Sequence, residues 1–189
     1  MRLEVLGRRH REARVDVQND LSAQMADQKQ LRRTLGSFAT GVTVLTVGGA
    51  AQHGMTANSF TAVSLDPPLV LVCVERDAIM HGALTGTRRF GISVLASHQE
   101  WIARHFADRR RPLGAEQFAQ IDCVPGVFSD APLINEAAAH LECDLSHSYE
   151  GGDHTIFVAH LLAVSRRLDA GVLVFLNGQF HRFDSMLAT

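Results

Sequence analysis

The chain has little of what usually identifies a nucleic-acid-binding or membrane protein. Lysine occurs once, as Lys29, and the formal net charge of the 189 residues is only −2. Such a balance provides no electrostatic footprint for nucleic acid or for an acidic membrane surface. No hydrophobic run approaches the length of a membrane-spanning helix, and the first residues lack the apolar segment of a signal peptide. We therefore expect a cytoplasmic protein that binds neither nucleic acid nor membrane.

Cysteine is also scarce. The three cysteines, Cys73, Cys123 and Cys143, are odd in number and far apart, and none belongs to a CxxC pair. A disulfide framework or a structural zinc site is therefore not expected, and we predict no metal site. Cys73 and Cys143 lie within apolar strand patterns, which predicts buried thiols that act as small hydrophobic side chains.

Several motifs that would define an active site are absent. No GxGxxG follows a strand, and there is no GxxxxGK[ST] and no HExxH. The segment 91–95 lacks the final glycine of a nucleophile elbow. The HxE triplet at 140–142 is not followed by the PCxxC of a zinc deaminase. The sequence therefore does not support a Rossmann-type dinucleotide site, a P-loop, a nucleophile elbow or a zinc deaminase site.

Two regions differ in composition. Residues 1–26 are charged and contain few large apolar residues after Leu6, which predicts a flexible N-terminal arm. The remainder, 27–189, has the size of one domain, and a hydrophobic content of 46% over the whole chain is enough to build a core.

Alternating and continuous apolar patterns predict mostly strands. The predicted strands are 42–47, 54 to the Asp66-Pro67-Pro68 turn, 69–74 (buried on both faces), 89–95, 138–149, 155–167, 172–176 and 179–183. The predicted short helices are 27–35 ending at Gly36, 77–84 capped by Asp77, and a helix through Phe106 opened by a Ser97–Glu100 capping box. Glycine-rich turns at 150–153 and 177–178 indicate two consecutive hairpins. This order favours an antiparallel β-barrel or sandwich over the alternative, a parallel α/β sheet.

The segment 54–68 is unusually polar for its position between the apolar strands 42–47 and 69–74. Its hydroxyl and amide side chains are Thr56, Asn58, Ser59, Thr61 and Ser64. Buried polar groups destabilise a fold unless they find hydrogen-bond partners. Two interpretations are equally open at this point: a polar ligand that lies along the strand, or an edge strand whose hydroxyls meet water.

Three segments resemble the short-chain flavin reductase family, the reductase components of two-component flavin-dependent monooxygenases. They are 38–46, 54–60 with 63–70, and Gly152-Asp153-His154, and the resemblance covers about residues 30–184. It implies a mainly β fold, an antiparallel, Greek-key-like split β-barrel with a few short flanking helices. It also implies binding of FMN or FAD and a homodimer.

The resemblance implies an activity as well. In this family reduced nicotinamide, NADH or NADPH, passes a hydride to the flavin, and the free reduced flavin then serves a separate monooxygenase. Because the flavin carries the difficult chemistry, no protein general acid or base is required. Two alternatives stay open: a flavoprotein of the same fold that keeps its flavin and reduces a corrinoid or ferric chelate, and a non-catalytic flavin-binding module.

Most candidate site residues come from the same resemblance. Those expected along the flavin are Thr56, Ala57, Asn58, Ser59, Ser64, Leu65, Pro67, Cys73 and Val74. His154 is expected near the nicotinamide as the catalytic candidate, and its alternative role is a turn residue that faces water. Phe180, beside His181, is expected either to close the site or to pack in the core.

The flavin phosphate requires donors, and several candidates exist. They are Arg76, His81, Ser97 at a helix N-terminus, and the run 109–111, which is equally consistent with a solvated loop. Gln99 is expected to share some flavin contact with Ser97. Trp101 and Phe106 are expected as core anchors on the capped helix, and Phe106 and Arg109 are counted among the cofactor-binding residues.

Overall fold

The computed structural model describes residues 28–184, which form two units. One comprises residues 28–39 with 176–178, and the other comprises residues 40–175 with 179–184. The predicted arm, 1–26, lies outside the described residues, so the division at residue 26 stays a prediction.

The smaller unit contains helix α1 (Gln28–Leu35), as predicted. The amide of Gly36 donates to the Arg32 carbonyl at 2.8 Å and ends the helix, and Asn177 N–H donates to the Gly36 carbonyl at 2.7 Å. Asn177 and Gly178 have φ of 50° and 79°, the left-handed pair that a two-residue hairpin turn requires.

The larger unit is built mainly from strands. They are β1 (Thr40–Gly41), β2 (Thr43–Val47), β3 (His53–Ala57), β4 (Thr61–Leu65), β5 (Pro68–Glu75), β6 (Arg89–Val94), β7 (Cys123–Pro125), β8 (Pro132–Ile134), β9 (Ala139–Gly151), β10 (His154–Arg166), β11 (Val172–Leu176, whose last residue belongs to the smaller unit) and β12 (Gln179–Phe183). The helices are α2 (Ile79–Thr87), α3 (Glu100–Ala107) and two 3-10 helices, Gly49–Ala51 and Gly114–Phe118.

Seven strands form one sheet in the order β3-β2-β6-β9-β10-β5-β4. Every pair along it is antiparallel, so the parallel α/β alternative is wrong. The hairpin of β9 and β10 has 13 residues in each strand and lies at the centre of the sheet. The described residues also form a three-stranded sheet, β1-β11-β12, and a two-stranded sheet, β7-β8.

The polar segment 54–68 was predicted as one strand, and this prediction is wrong. It contains β3 and β4, which lie at opposite edges of the seven-stranded sheet and are separated in the chain only by residues 58–60. β3 pairs with β2, whereas β4 pairs with β5. The three connecting residues therefore carry the chain from one edge of the sheet to the other.

Both predicted helix caps are wrong. Helix α2 begins at Ile79 after Ala78, and no side chain caps it. Helix α3 begins at Glu100, and the side chain of Ser97 instead donates to Asp184 Oδ1 at 2.8 Å. The Gln99 side chain accepts from the Ala96 amide at 2.9 Å and donates to the Asn135 carbonyl at 2.7 Å, so it ties the start of α3 to neighbouring loops.

The core forms two clusters. One packs around Phe90 and Phe157 within the large sheet, and the other packs around Phe106 on α3. Trp101, expected as a core anchor, is 52% exposed, so that prediction is wrong, whereas Phe106 is buried as predicted.

Strand β5 is fully buried on one face and half-buried on the other over residues 69–74, where both faces were expected to be buried or nearly so. Val70, Val72 and Val74 point into the core, while the alternate residues are half-buried or exposed. Cys143 is buried as predicted, but Cys73 lies on the more open face of β5 and is only half-buried. The open face of β5 is therefore available to line a cavity.

Candidate functional site

A cavity of about 510 Å³ lies beside β3, the end of β5, the end of α3 and the loop after α3. Nine of the expected cofactor-binding residues line it: Thr56, Ala57, Asn58, Ser59, Cys73, Val74, Phe106, Arg109 and His154. Seven do not: Ser64, Leu65, Pro67, His81, Ser97, Gln99 and Phe180. The structure therefore brings the first half of the polar segment to the cavity and leaves the second half on the opposite sheet edge.

The hydroxyls on the cavity wall already have protein partners. Thr56 Oγ1 donates to the Ala103 carbonyl of α3 at 2.7 Å. Ser59 Oγ donates to the Cys73 carbonyl at 2.8 Å and accepts from the Cys73 amide at 3.1 Å. These bonds fasten β3 to α3 and the 58–60 connection to β5. The polar side chains of this segment therefore organise the wall of the cavity, and Asn58 presents an exposed amide there.

His154 is the first residue of β10 and reaches the cavity from a two-residue turn. Gly152 in that turn has φ of 72°, a conformation that glycine adopts easily. The Nδ1 atom of His154 lies 2.7 Å from Asp153 Oδ1. A carboxylate only accepts hydrogen bonds when ionised, so this contact places a proton on Nδ1. The side chain of His154 is 42% exposed, and its ring is oriented by its neighbour.

Arg111 lies on the wall formed by the loop after α3. Its guanidinium donates to the Asp108 carbonyl at 2.8 Å and to the Gly54 carbonyl of β3, and lies 5.7 Å from the centre of the Phe106 ring. Its Nε is buried and has no hydrogen-bond partner among residues 28–184. Arg111 thus presents a positive charge that is anchored by neutral backbone oxygens.

His53 is the buried neighbour of Arg111. Its Nε2 lies 3.3 Å from the guanidinium, and it is 5% exposed. Burial, reinforced by the charge of Arg111, lowers the pKa of His53 to about 4. His53 is therefore neutral at physiological pH, and its ring can accept a hydrogen bond from Arg111.

The other two arginines of the run behave differently. Arg109 lines the cavity and forms an ion pair with Glu75, with 2.6 Å between Nη2 and Oε2. Arg110 does not line the cavity and pairs with Asp108, whose pKa its hydrogen bonds lower to about 2. Two of the three arginines therefore face the cavity.

Sequence reasoning missed several lining residues. They are His53, Met55, Glu75, Asp77, Ala78, Ile79, Ala107 and Leu113, while Arg111 was expected only as part of a run. Glu75 follows directly after Cys73 and Val74, and Asp77 lies two residues further along. The predicted cofactor-binding residues 73–74 could therefore have been extended to include the next residues of the chain. The position of His53 follows from the pairing of β3 with β2, which no local pattern reveals.

The seven residues away from the cavity have other contacts or other locations. Ser64, Leu65 and Pro67 lie on or next to the edge strand β4. His81 Nε2 lies 2.9 Å from Thr155 Oγ1, and Phe180 packs against Phe175 with ring centres 5.2 Å apart. Their contact with a cofactor stays a prediction.

Several known proteins are similar to this chain in sequence and fold. A family model described as the flavin reductase like domain matches residues 35–184. The chain therefore belongs to the flavin reductase family, and the resemblance seen in the sequence is confirmed. The mainly β, antiparallel split-barrel class is confirmed with it.

Individual relatives are closely similar. An NADH-dependent FAD reductase of Streptomyces globisporus is 55% identical over 157 residues, which are 83% of this chain and 86% of that protein. The structure of an NADH:FAD oxidoreductase from Streptomyces globisporus C-1027, solved with NAD and FAD fragments, matches with a TM-score of 0.81 and 51% identity, over 87% of this chain and 96% of that one. The flavin reductase component of a bacterial two-component tryptophan halogenase matches with a TM-score of 0.82 and 50% identity, over 84% and 99% of the two chains.

Proposed function

We propose that the protein is an NAD(P)H:flavin oxidoreductase that reduces FAD or FMN and supplies free reduced flavin to a partner monooxygenase. One observation carries this proposal. Two segments that resemble the family, 54–60 and 152–154, are almost a hundred residues apart in the chain, yet residues 55–59 of the first and His154 of the second line the same cavity. FAD with NADH is the proposed pair, because the relative with 55% identity is an NADH-dependent FAD reductase.

The lining suits a flavin. Ile79 and Leu113, each more than half exposed, provide apolar surface for a ring system, and Asn58 provides an amide for its polar edge. Arg109 and Arg111 provide two guanidinium groups for phosphate. The flavin supplies the hydride chemistry when bound. The other phosphate candidates, Arg76, His81 and Ser97, do not line the cavity.

We propose that His154 orients the nicotinamide. Its Nδ1 proton is held by the Asp153 carboxylate, so its other ring nitrogen is left to meet a ligand in the cavity. The role is one of binding and orientation, since hydride transfer to a flavin needs no protein acid or base.

We also propose a homodimer in the cytoplasm, where reduced nicotinamide is available. The support for the dimer is the edge strand β4, on which Leu65 is 94% and Val63 is 48% exposed beside a backbone edge that pairs with no strand of residues 28–184. Apolar edge strands are usually covered by a partner. Within residues 28–184 no helix is long and apolar enough to cross a membrane.

A stopped-flow assay tests the proposal. Purified protein is mixed with NADH and increasing concentrations of FAD, FMN or no flavin, and oxidation of NADH is followed. We expect a rate that rises with added free flavin. Turnover without free flavin, but with a ferric chelate or corrinoid, would indicate a flavoprotein that keeps its cofactor. No oxidation of NADH or NADPH with any acceptor would indicate a binding module.

A further inference from the structure

We propose that Glu75 competes with the flavin phosphate for Arg109 and thereby keeps the affinity for phosphate-bearing flavins low. The inference rests on the proposed function, because it concerns the same cavity. It adds a residue that neither the resemblance nor the relatives' names assign.

The ion pair joins two walls of the cavity. Glu75 is the last residue of β5, and Arg109 lies two residues beyond the end of α3. Arg109 Nη2 is 2.6 Å from Glu75 Oε2, and both residues line the cavity. The Arg109 side chain is 83% exposed, so it can reach either the carboxylate or an incoming anion.

Arg111 and Arg109 differ in the groups that hold their guanidinium side chains. The guanidinium of Arg111 is fixed by two backbone carbonyls, and no carboxylate in residues 28–184 forms an ion pair with it. A phosphate therefore meets one arginine held by neutral backbone oxygens and a second one held by the carboxylate of Glu75. To use Arg109, the phosphate must break the ion pair.

The expected effect is moderate. An exposed ion pair contributes up to about 1 kcal/mol, which corresponds to about a fivefold change in affinity. Glu75 therefore does not block the site. It lowers affinity and speeds release, which suits an enzyme whose reduced flavin must leave for another protein.

The test compares three flavins that share one ring system. Riboflavin has no phosphate, whereas FMN and FAD have one and two. Their dissociation constants are measured by fluorescence titration for wild type and Glu75→Gln. We expect FMN and FAD to bind about two- to fivefold more tightly to the variant, with slower FMN dissociation in stopped-flow, and riboflavin to bind equally to both proteins.

Two further variants serve as controls. Glu150→Gln breaks an exposed ion pair with Arg76, 3.5 Å apart and outside the cavity lining, and should leave all three affinities unchanged. In an Arg109→Gln background, Glu75→Gln should change FMN affinity less than it does in wild type, because the shared partner is gone and only direct repulsion between the carboxylate and the phosphate remains. Thermal melts check that each variant is folded.

The results that overturn the inference are distinct. Equal changes for riboflavin and FMN, no change for FMN, or weaker FMN binding in Glu75→Gln would each refute it, as would an unchanged effect in the Arg109→Gln background. Wild-type protein that binds none of the three flavins would refute the proposed function itself, and that outcome is already visible in the first titration.

Discussion

His154 enters the cavity through a ring whose orientation is set by the adjacent residue. Asp153 Oδ1 lies 2.7 Å from Nδ1, and His154, the first residue of β10, lines the cavity. Because Asp153 holds the proton on Nδ1, the ring presents Nε2 to a ligand in a fixed orientation. Removal of the His154 side chain should therefore affect the use of NADH more than the binding of flavin.

We predict that His154→Ala weakens NADH use more than flavin binding. Losing one hydrogen bond to a ligand should raise the KM for NADH about tenfold, while the flavin dissociation constant changes less than about twofold. Steady-state kinetics and flavin titration measure the two effects. His160→Ala, an exposed histidine on the same strand, is the matched control. Unchanged nicotinamide kinetics in His154→Ala would refute the proposed role.

Gly54 of β3 lies against the ring of Phe106, a residue of the cavity lining. A Cβ at this position would overlap the ring of Phe106, which is buried and also packs against Phe118 with ring centres 5.2 Å apart. The amide of Gly54 donates to Gln117 Oε1 at 2.9 Å, and its carbonyl accepts from Arg111. The strand therefore cannot shift to make room without breaking these bonds.

We predict that Gly54→Ala destabilises the protein by about 1–3 kcal/mol and weakens flavin binding, because the Phe106 ring must move. Denaturant unfolding and flavin titration measure both effects. Gly82→Ala is the matched control: it lies in α2 with nothing within 4 Å of the new methyl group, so it should be neutral or stabilise by up to about 1 kcal/mol. Wild-type stability in Gly54→Ala would contradict the described packing.

The sequence predicted some of the cavity residues but not their hydrogen-bond partners. The order of residues 54–60 singled out Thr56, Asn58 and Ser59, which line the cavity, but it could not reveal that Thr56 and Ser59 already bond to Ala103 and Cys73. Those partners come from α3 and β5. Such contacts depend on tertiary packing, which spacing along a strand does not contain.

Among the elements, strand β9 carries a buried carboxylate that holds a loop. Glu142 is 5% exposed and accepts from the amides of Val127, Phe128 and Ser129 and from the Ser129 hydroxyl, at 2.7–3.2 Å. Burial raises the pKa of Glu142, but these four donors outweigh it, so the pKa lies below its ordinary value of 4.5. The loop between β7 and β8 is thus tied to the central hairpin by one charge.

We predict that Glu142→Gln costs about 1–3 kcal/mol of unfolding free energy at pH 7. Because the folded-state pKa is depressed, the stabilisation is present above pH 4.5 and is lost as the pH falls through the folded-state value. Urea unfolding between pH 7 and pH 3 should therefore give a steeper loss for wild type than for the variant. Glu136→Gln, whose exposed side chain pairs with His98, should behave like wild type. Parallel pH profiles for wild type and Glu142→Gln would contradict this account.

The hairpins were predictable because local chemistry specifies them. Asn177-Gly178 and the glycine-rich turn before β10 stand between runs of strand residues, and both hairpins form where expected. The two edge strands, β3 and β4, were not separated, because the polar pattern runs through residues 58–60 without interruption. The helix caps failed for a related reason, since Ser97 found a partner in Asp184, far away in the chain.

For the molecule as a whole, the arm is the simplest test of domain organisation. We predict that deletion of residues 1–24 leaves kcat/KM for NADH and flavin within about twofold of the full chain, because the segment is charged and poor in large apolar residues. The family match also starts later, at residue 35. NADH oxidation assays and thermal melts of both proteins measure this. Loss of folding in the shortened chain would refute the arm interpretation.

The strand order also has a consequence for synthesis on the ribosome. In the strand order of the sheet, β2, β3 and β6 form one group and β4 and β5 another, and the hairpin of β9 and β10 lies between them. The cavity takes walls from β3 and from β5, one from each group. A nascent chain therefore cannot complete the strand pairing of this sheet until residues 139–166 have emerged. Until then the inner edges of β5 and β6 are open to pairing with other chains, so a stalled ribosome would release an aggregation-prone fragment.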